Sequence, residues 1–149
     1  MTRIDFAHGA SHRLATACQV VYRHYLAGRK LVVYTGDTAR LDRFDQLLWG
    51  FEPTAFVPHV HDHHALAAQS PIVLTSSNPG ALATADQDAP IPWLLNLDVH
   101  CPPEVDLFKR VLEIVSDHEQ DRQAARARWI AYREAGYELH AHQLARHAD

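Results

Sequence analysis

The sequence KLVVYT (residues 30–35) is the clearest indication of fold class in this chain. It is a compact apolar run, rich in β-branched residues, and glycines lie on either side of it at Gly28 and Gly36. Strands that are covered on both faces of a sheet carry such continuous apolar runs, whereas half-exposed strands alternate apolar with polar residues. The run is therefore predicted to be a central strand of a sheet.

Helical patterns of apolar residues flank this strand on both sides. Residues 11–27 carry apolar side chains at three- and four-residue spacing after a Ser11 cap, and residues 38–50 do so after Asp37 or Thr38. Their predicted buried faces are Leu14, Ala17, Cys18, Val21 and Tyr25 in the first helix, and Leu41, Phe44, Leu47 and Leu48 in the second. A strand between two amphipathic helices is the repeating unit of an α/β sheet.

The rest of the chain continues this alternation. Short strands are predicted at residues 3–8, 55–58, 72–75 and 93–97, of which 93–97 is the last, and residues 76–92 are predicted to form a surface loop. Helices are predicted at residues 104–115 and 119–134. The order predicts one three-layer, Rossmann-like α/β domain over residues 1–137, with a mostly parallel sheet between helices. Residues 138–149 have no apolar face and are predicted to be a partly disordered tail.

Composition and charge exclude several classes of protein. Of the 149 residues, 47% are hydrophobic and 21% charged, which is typical of soluble globular proteins rather than disordered ones. A net charge of −4 argues against a protein that grips a nucleic-acid backbone over a broad face. Two cysteines are too few for a disulfide framework and favour a cytoplasmic location, and neither a signal peptide nor a membrane span is predicted.

Motifs for catalysis and for cofactors are not found. The turn after residues 30–35 offers only Gly36, and neither G-x-G-x-x-G nor G-x-x-x-x-G-K-[ST] occurs, so no nucleotide-binding motif and no cofactor are predicted. Cys18 lies on the apolar stripe of the first helix, and Cys101 precedes two prolines with nothing to activate it. No catalytic residue is therefore assigned.

A histidine-rich segment, HVHDHH (residues 59–64), is a candidate metal site. Imidazoles and a carboxylate placed this close together are zinc ligands in many proteins. The segment lacks both the helical i, i+4 pairing of a zincin and a cysteine pair, so a solvated loop with no bound metal is favoured. A metal-dependent hydrolase that uses residues 59–64 remains the alternative, and His59 has no role that its chemistry assigns.

Large apolar residues are concentrated just before this segment. Trp49, Phe56, Val57 and Pro58 surround a short strand that the proline marks as an edge strand. Rigid aromatic side chains at an edge are typical of interface hot spots. The alternative is that these residues only fill the core.

The last predicted helix carries four arginines in the sequence DRQAARARWIAYREAG (residues 121–136). Arg122, Arg126 and Ile130 follow one another at four-residue spacing, Arg133 lies nearby, and Ala125, Trp129 and Tyr132 face the sheet. Guanidinium groups beside an apolar groove suit an acidic peptide that ends in a large hydrophobic residue. The alternatives are a solvated helix face and a face that binds single-stranded DNA directly.

Four segments together resemble the chi subunit family of bacterial DNA polymerase III. They are GRKLVVY (residues 28–34), LLW (47–49), FVPH (56–59) and RWIAYREAGY (128–137), and the resemblance covers essentially the whole chain except residues 61–92. It implies a Rossmann-like fold without a nucleotide site. It also implies a non-catalytic accessory protein of the clamp-loader complex in DNA replication.

The resemblance further implies two protein partners, with DNA contacted only indirectly. The psi subunit, in a heterodimer, would bind Trp49, Phe56, Val57 and Pro58, and a helicase that competes for the same surface is a further candidate partner. The C-terminal tail of single-stranded DNA-binding protein (SSB) would bind Val115, Arg122, Arg126, Ile130 and Arg133. Family members often carry a lysine where this chain has Ile130, so Arg133 is the candidate replacement for that contact.

Overall fold

The computed structural model describes residues 2–84 and 88–144. Within these ranges the strands are β1 Arg3–Ala10, β2 Leu31–Tyr34, β3 His59–His61, β4 Ile72–Thr75, β5 Trp93–Asn96, β6 Arg110–Ser116 and β7 Glu138–Gln143. The helices are α1 Arg13–Leu26, α2 Thr38–Gly50, α3 Gly80–Ala83 and α4 Glu119–Glu134, with 3₁₀ turns at Ala67–Gln69 and Val105–Leu107. The loop predicted at 76–92 thus contains the short α3, and its residues 85–87 lie outside the described ranges.

The described strands form one sheet with the order β3-β4-β2-β5-β6-β1-β7, and every pair in it is parallel. β2 lies between β4 and β5, which confirms the prediction of a central strand from the apolar run at 30–35. In the middle of the sheet Val33 lies opposite Leu74 of β4 and Leu95 of β5, and all three side chains are fully buried. This strand is apolar throughout because helices cover both of its faces.

Helices cover the two faces of the sheet with separate apolar cores. α1 and α2 pack on one face, where Val21, Phe44 and Leu95 are fully buried. α4 packs on the other face, with Phe6, Phe108 and Tyr132 in its core. The three-layer α/β prediction is confirmed. No helix in the described part of the chain is long and apolar enough to cross a bilayer.

Local signals set the ends of α1 and α2. The side chain of Asp37 accepts a hydrogen bond from the Arg40 N–H and caps α2, as predicted. α1 is capped by His12, whose Nδ1 accepts from the Ala15 N–H, and not by Ser11 as predicted. Gly28 follows α1 with a φ of 79°, a left-handed conformation that glycine adopts without steric cost.

The prediction of a helix at residues 104–115 is wrong. A 3₁₀ turn at Val105–Leu107 leads instead into β6, which lies between β5 and β1. Lys109, Arg110 and Glu113 interrupt the apolar residues of this segment and leave them at helical spacing, although Glu113 is itself fully buried. Polar residues within a buried strand remove the continuous apolar run by which such strands are recognised.

The strand predicted at residues 55–58 lies elsewhere. β3 starts at His59, directly after Pro58, and pairs only with β4, so the proline precedes the edge strand and does not end it. Proline has no N–H to donate to a ladder, and a position before the first strand residue avoids that loss.

Residues 93–97 are not the last strand, because a further strand follows Gly136. Residues Glu138–Gln143 form β7, which pairs with β1 along the edge of the sheet. This strand has no buried side chain, so its side chains give no pattern from which a strand is predicted. Its backbone hydrogen bonds to β1 hold it in the sheet. Residues 145–149 of the predicted tail lie outside the described residues.

Candidate protein-docking surfaces

The first candidate surface lies where α2 ends and β3 begins. Trp49 lies in the last turn of α2 and Phe56 in the following loop, and their ring centroids are 5.6 Å apart. The two side chains are 52% and 63% exposed, and Pro58 and Leu66 line the same groove. We call Trp49, Phe56, Pro58 and Leu66 the aromatic surface. Exposed aromatic side chains gathered in one place are typical of protein interfaces, so this surface is a docking candidate.

Val57 and His59 support the aromatic surface from beneath. Val57 is only 1% exposed and packs in the core under α2, so its side chain does not form part of the surface itself. His59 Nδ1 donates to the Val57 carbonyl at 2.7 Å, and its Nε2 lies 2.8 Å from Asp45 Oδ1. Its ring centroid is 4.4 Å from that of Trp49. His59 therefore fastens the loop to α2 beside Trp49, a role that the sequence did not reveal.

The other histidines of the 59–64 segment face different partners. His61 Nε2 is 3.8 Å from Asp45 Oδ2, whereas His63 Nδ1 is 3.6 Å from Asp62 Oδ1. Asp62 also accepts a hydrogen bond from Thr75 Oγ1. The imidazoles of His61 and His63 therefore contact two different carboxylates and do not converge on one point. Among the described residues, no group of three or more His, Cys, Asp or Glu side chains is placed to hold a metal ion.

The second candidate surface is the solvent-facing side of α4. Arg122, Arg126 and Arg133 are exposed, and Ile130 is 41% exposed. Residues four apart in a helix are separated by about 6 Å along its axis, so Arg122, Arg126 and Ile130 form a row. None of the three arginines forms an ion pair with a described residue. We call Arg122, Arg126, Ile130 and Arg133 the arginine face, whose guanidinium groups are open to carboxylates.

Arg128 does not belong to this face, although it is one of the four arginines that the sequence places in this helix. It is 2% exposed, its Nε donates to Glu113 Oε1 at 3.0 Å, and its Nη1 donates to the Val99 carbonyl. Glu113 Oε2 also accepts from Asn96 Nδ2 at 2.8 Å and from the Tyr132 hydroxyl at 2.7 Å. The arginine face therefore has three arginines, and the fourth fastens α4 to β6.

Burial shifts the pKa values of groups in this polar cluster. Burial raises the pKa of Tyr132 well above its usual value, and the Glu113 carboxylate raises it further. Arg13 belongs to the same cluster, since its Nη2 lies 3.8 Å from Glu113 Oε1. Burial lowers the pKa of Arg13, as does the nearby charge of Arg128, while Glu113 opposes both. Sequence reasoning missed the cluster because its members lie on separate elements and no local motif joins them.

Val115 lies beside the arginine face but on its buried side. It is 7% exposed near the end of β6 and belongs to the apolar cluster under α4 that includes Ala125 and Tyr132. The next residue, Ser116, donates to Asp121 Oδ2 from both its N–H and its hydroxyl, at 2.7 Å each. These bonds hold the first turn of α4 over Val115.

The crevice where an open parallel sheet usually holds a ligand lies between the C-terminal ends of β2 and β5, since the chain leaves these strands in opposite directions. Asp98 Oδ1 there accepts from Thr35 Oγ1 at 2.9 Å and from the Gly36 N–H at 3.0 Å. Burial raises the pKa of Asp98, but these bonds, one from the His100 N–H and the charge of Arg40 lower it on balance. The chain's own carboxylate thus takes the backbone N–H that a phosphate contacts in nucleotide-binding folds.

Comparisons with known proteins agree with the resemblance in the sequence. The family model described as DNA polymerase III chi subunit, HolC, matches residues 1–140. The DNA polymerase III subunit chi of Pseudomonas aeruginosa is 34% identical over 153 aligned residues, which cover 98% of this chain and 99% of that protein. The subunits of the same name from Escherichia coli and Haemophilus influenzae are each 24% identical, over 82% and 83% of this chain and 79% and 81% of their own lengths. The chain belongs to the family of DNA polymerase III chi subunits, which act in DNA replication.

Proposed function

We propose that this chain is a non-catalytic accessory subunit that joins the clamp loader, through psi, to the C-terminal tail of SSB. The observation that carries the proposal is the separation of the aromatic surface from the arginine face. β3 and β6 are four strand spacings apart in the sheet, about 19 Å, and α2 and α4 pack on opposite faces of it. Two partners that bind these surfaces do not collide on the chain, so one molecule connects them.

Psi docks on the aromatic surface. An aromatic side chain carries roughly 200 Å² of surface, so covering the exposed 63% of Phe56 contributes about 3 kcal/mol before the entropic costs of association. Trp49 adds a comparable area, and the hydrogen bonds of His59 keep the loop in place before psi arrives. A surface that is ordered in advance loses little conformational entropy on binding.

The SSB tail binds the arginine face. Its carboxylates pair with Arg122 and Arg126, and its last apolar side chain packs next to Ile130. Exposed ion pairs are individually weak and are screened by salt, so a single tail binds modestly. Several tails on one DNA-bound assembly raise the effective concentration, which makes the attachment firm without a tight individual contact.

A ternary binding experiment tests the proposal. The full chain is saturated with psi and then titrated calorimetrically with an acidic peptide that ends in phenylalanine. We expect the peptide affinity to agree within about twofold with that of the chain alone, because the two surfaces are separate. A peptide that psi displaces, or a chain that binds neither partner, would contradict the proposal.

A further inference from the structure

A groove rich in arginine lies at the end of the sheet where the parallel strands begin. Arg3 starts β1, Arg29 precedes β2, Arg110 starts β6, and Arg23 lies in the last turn of α1. Together with Trp93 at the start of β5 they line what we call the cationic groove. Four of the chain's 14 lysines and arginines thus meet in one place on a protein of net charge −4.

The cationic groove is separate from both docking surfaces. Its strands, β5, β6, β1 and β7, lie three to six strand spacings from β3, beside which the aromatic surface lies. It also lies on the face covered by α1, because its wall includes Val20 and Arg23 of that helix. The arginine face belongs to α4, which covers the opposite face of the sheet.

A buried carboxylate holds two of the guanidinium groups in place. The Asp5 side chain is 8% exposed and pairs with Arg3 at 3.0 Å and with Arg110 at 2.9 Å, while His142 Nε2 lies 3.0 Å from it. Burial raises the pKa of Asp5, but hydrogen bonds from His142, Arg3 and Arg110 lower it on balance. Asp5 therefore anchors two positive groups, and the other carboxylate of the lining, Glu113, is paired with Arg128. Four arginines against these two carboxylates leave the groove with an excess of positive charge.

Trp93 orders Arg29, one of the two remaining cations. The guanidinium carbon of Arg29 is 4.6 Å from the Trp93 ring centroid, and that of Arg110 is 4.4 Å from it. His24 lies 5.0 Å from the same ring, and its Nδ1 accepts from Arg29 Nη1 at 3.0 Å. Burial lowers the pKa of His24 to about 4, and the charges of Arg29, Arg23 and Arg110 contribute to this shift. The groove therefore keeps a positive potential that its own residues do not neutralise.

We infer that the cationic groove binds single-stranded DNA through its phosphates. Neither Arg23 nor Arg29 forms an ion pair with a described residue, and guanidinium forks match phosphate oxygens. The guanidinium groups of Arg29 and Arg110 already lie over the Trp93 ring, so Trp93 orders the cations. The groove therefore recognises the regularly spaced phosphates of a strand by charge. The chain also belongs to a family of DNA polymerase III subunits that act in DNA replication, and single-stranded DNA as the occupant fits that family.

Fluorescence anisotropy with a labelled oligothymidine and the full chain tests this site. In about 50 mM salt we expect binding that the double variant Arg23→Glu/Arg29→Glu weakens at least about tenfold. Loss of two phosphate contacts should also lower the slope of log K against log salt concentration by about 1.4. Both side chains are exposed, so the variant should fold, and circular dichroism checks this. The milder pair Arg23→Gln/Arg29→Gln should weaken binding in the same direction.

The matched control is Arg122→Glu/Arg126→Glu, which makes the same change in net charge on the arginine face. It should keep the oligothymidine affinity within about threefold. The inference is overturned if the parent chain does not bind, if the control loses as much affinity as the groove variant, or if duplex DNA binds more tightly than the single strand. A polyglutamate peptide that occupies the groove in preference to DNA would equally overturn it.

Discussion

Glu113 of β6 and Arg128 of α4 form an ion pair inside the protein, with Arg128 Nε 3.0 Å from Glu113 Oε1 and side chains that are 0% and 1% exposed. Asn96 and Tyr132 hydrogen-bond the other carboxylate oxygen. A buried ion pair gives little net stability, but removal of one partner leaves an uncompensated charge at high cost. The pair therefore fixes how α4 sits on the sheet, and with it the direction of the arginine face.

Replacement of this buried carboxylate should destabilise the fold strongly. Glu113→Gln leaves the Arg128 guanidinium buried without a counter-charge, so we expect the free energy of unfolding to fall by roughly 3–5 kcal/mol. Urea denaturation measures this difference. The control Glu134→Gln changes an exposed carboxylate in the last turn of α4 and should cost less than about 0.5 kcal/mol. Equal stability of the two variants would show that the pair does not hold α4.

Charge reversal on the arginine face should remove tail binding. Arg126→Glu places a carboxylate where the proposed tail brings its own, so we expect the affinity for an acidic peptide ending in phenylalanine to fall at least about tenfold. Psi binding should be unchanged. Isothermal titration calorimetry measures both affinities.

A matched charge reversal separates a local effect from a change in net charge. Arg43→Glu makes the same change on the exposed side of α2, away from α4, and should bind the tail peptide as the parent does. If Arg126→Glu retains its peptide affinity, the tail binds elsewhere on the chain.

Phe56 of the aromatic surface and Val57 beneath it should respond differently to truncation. Phe56→Ala removes an exposed ring, so we expect psi affinity to fall at least about tenfold while the melting temperature stays the same. Val57→Ala removes buried methyl groups and should cost roughly 1.5–3 kcal/mol of stability. Psi titration and thermal unfolding of both variants distinguish a contact residue from a supporting one.

Leu26→Ala serves as the control for the loss of an exposed apolar side chain. Leu26 is 65% exposed at the end of α1, so it matches Phe56 in exposure but lies outside the aromatic surface. This variant should bind psi normally. A loss of psi binding equal to that of Phe56→Ala would argue against a local docking site.

His24 should make stability depend on pH between about 4 and 6.5. Burial, with the charges of Arg29 and Arg23, lowers the pKa of His24 to about 4 in the folded protein, against 6.5 for an unperturbed histidine. Between these values the unfolded chain binds the proton more strongly, so the free energy of unfolding falls as the pH falls; above 6.5 the effect is absent. Asp5 and Asp98, whose pKa values are lowered from 3.8, act below this window.

Removal of the imidazole isolates this contribution from those of the other histidines. Urea unfolding of the parent and of His24→Gln at several pH values measures this contribution. Between about pH 4 and 6.5 the free energy of unfolding should fall less steeply with falling pH in the variant than in the parent. Above pH 6.5 the two proteins should show the same dependence of this free energy on pH. An NMR titration of His24 with a midpoint near 6.5 would contradict the prediction.

The most accurate sequence predictions concern elements whose signals are local. The helix at 119–134 was predicted with the bounds that α4 has, because its apolar face and the glycine after it lie within one segment. Ala125 and Tyr132 are buried as predicted, and the Trp129 ring is 5.1 Å from Phe6 of β1. The spacing of its apolar residues and the residues at its ends are enough to define such a helix.

Predictions failed where burial depends on distant partners. Residues 104–115 were predicted to be a helix from an apolar stripe, but Glu113 is buried there within β6, and its partners Arg128 and Tyr132 are 15 and 19 residues away in the chain. β7 has no buried side chain and forms against the edge of β1, more than 130 residues earlier. Pairing across such a distance leaves no local pattern in residues 138–143.

The sequence by itself determined the α/β class, the central position of β2, the family, and the aromatic and basic residues proposed to meet partners. Only the tertiary structure decided that Arg128 turns inward while Arg126 stays exposed, and that Val57 lies beneath Phe56. It also brought Arg3, from the start of the chain, beside Arg110 of β6 through their shared contact with Asp5. Side-chain period tells which residues share one face of an element, but strand order and burial decide what that face meets.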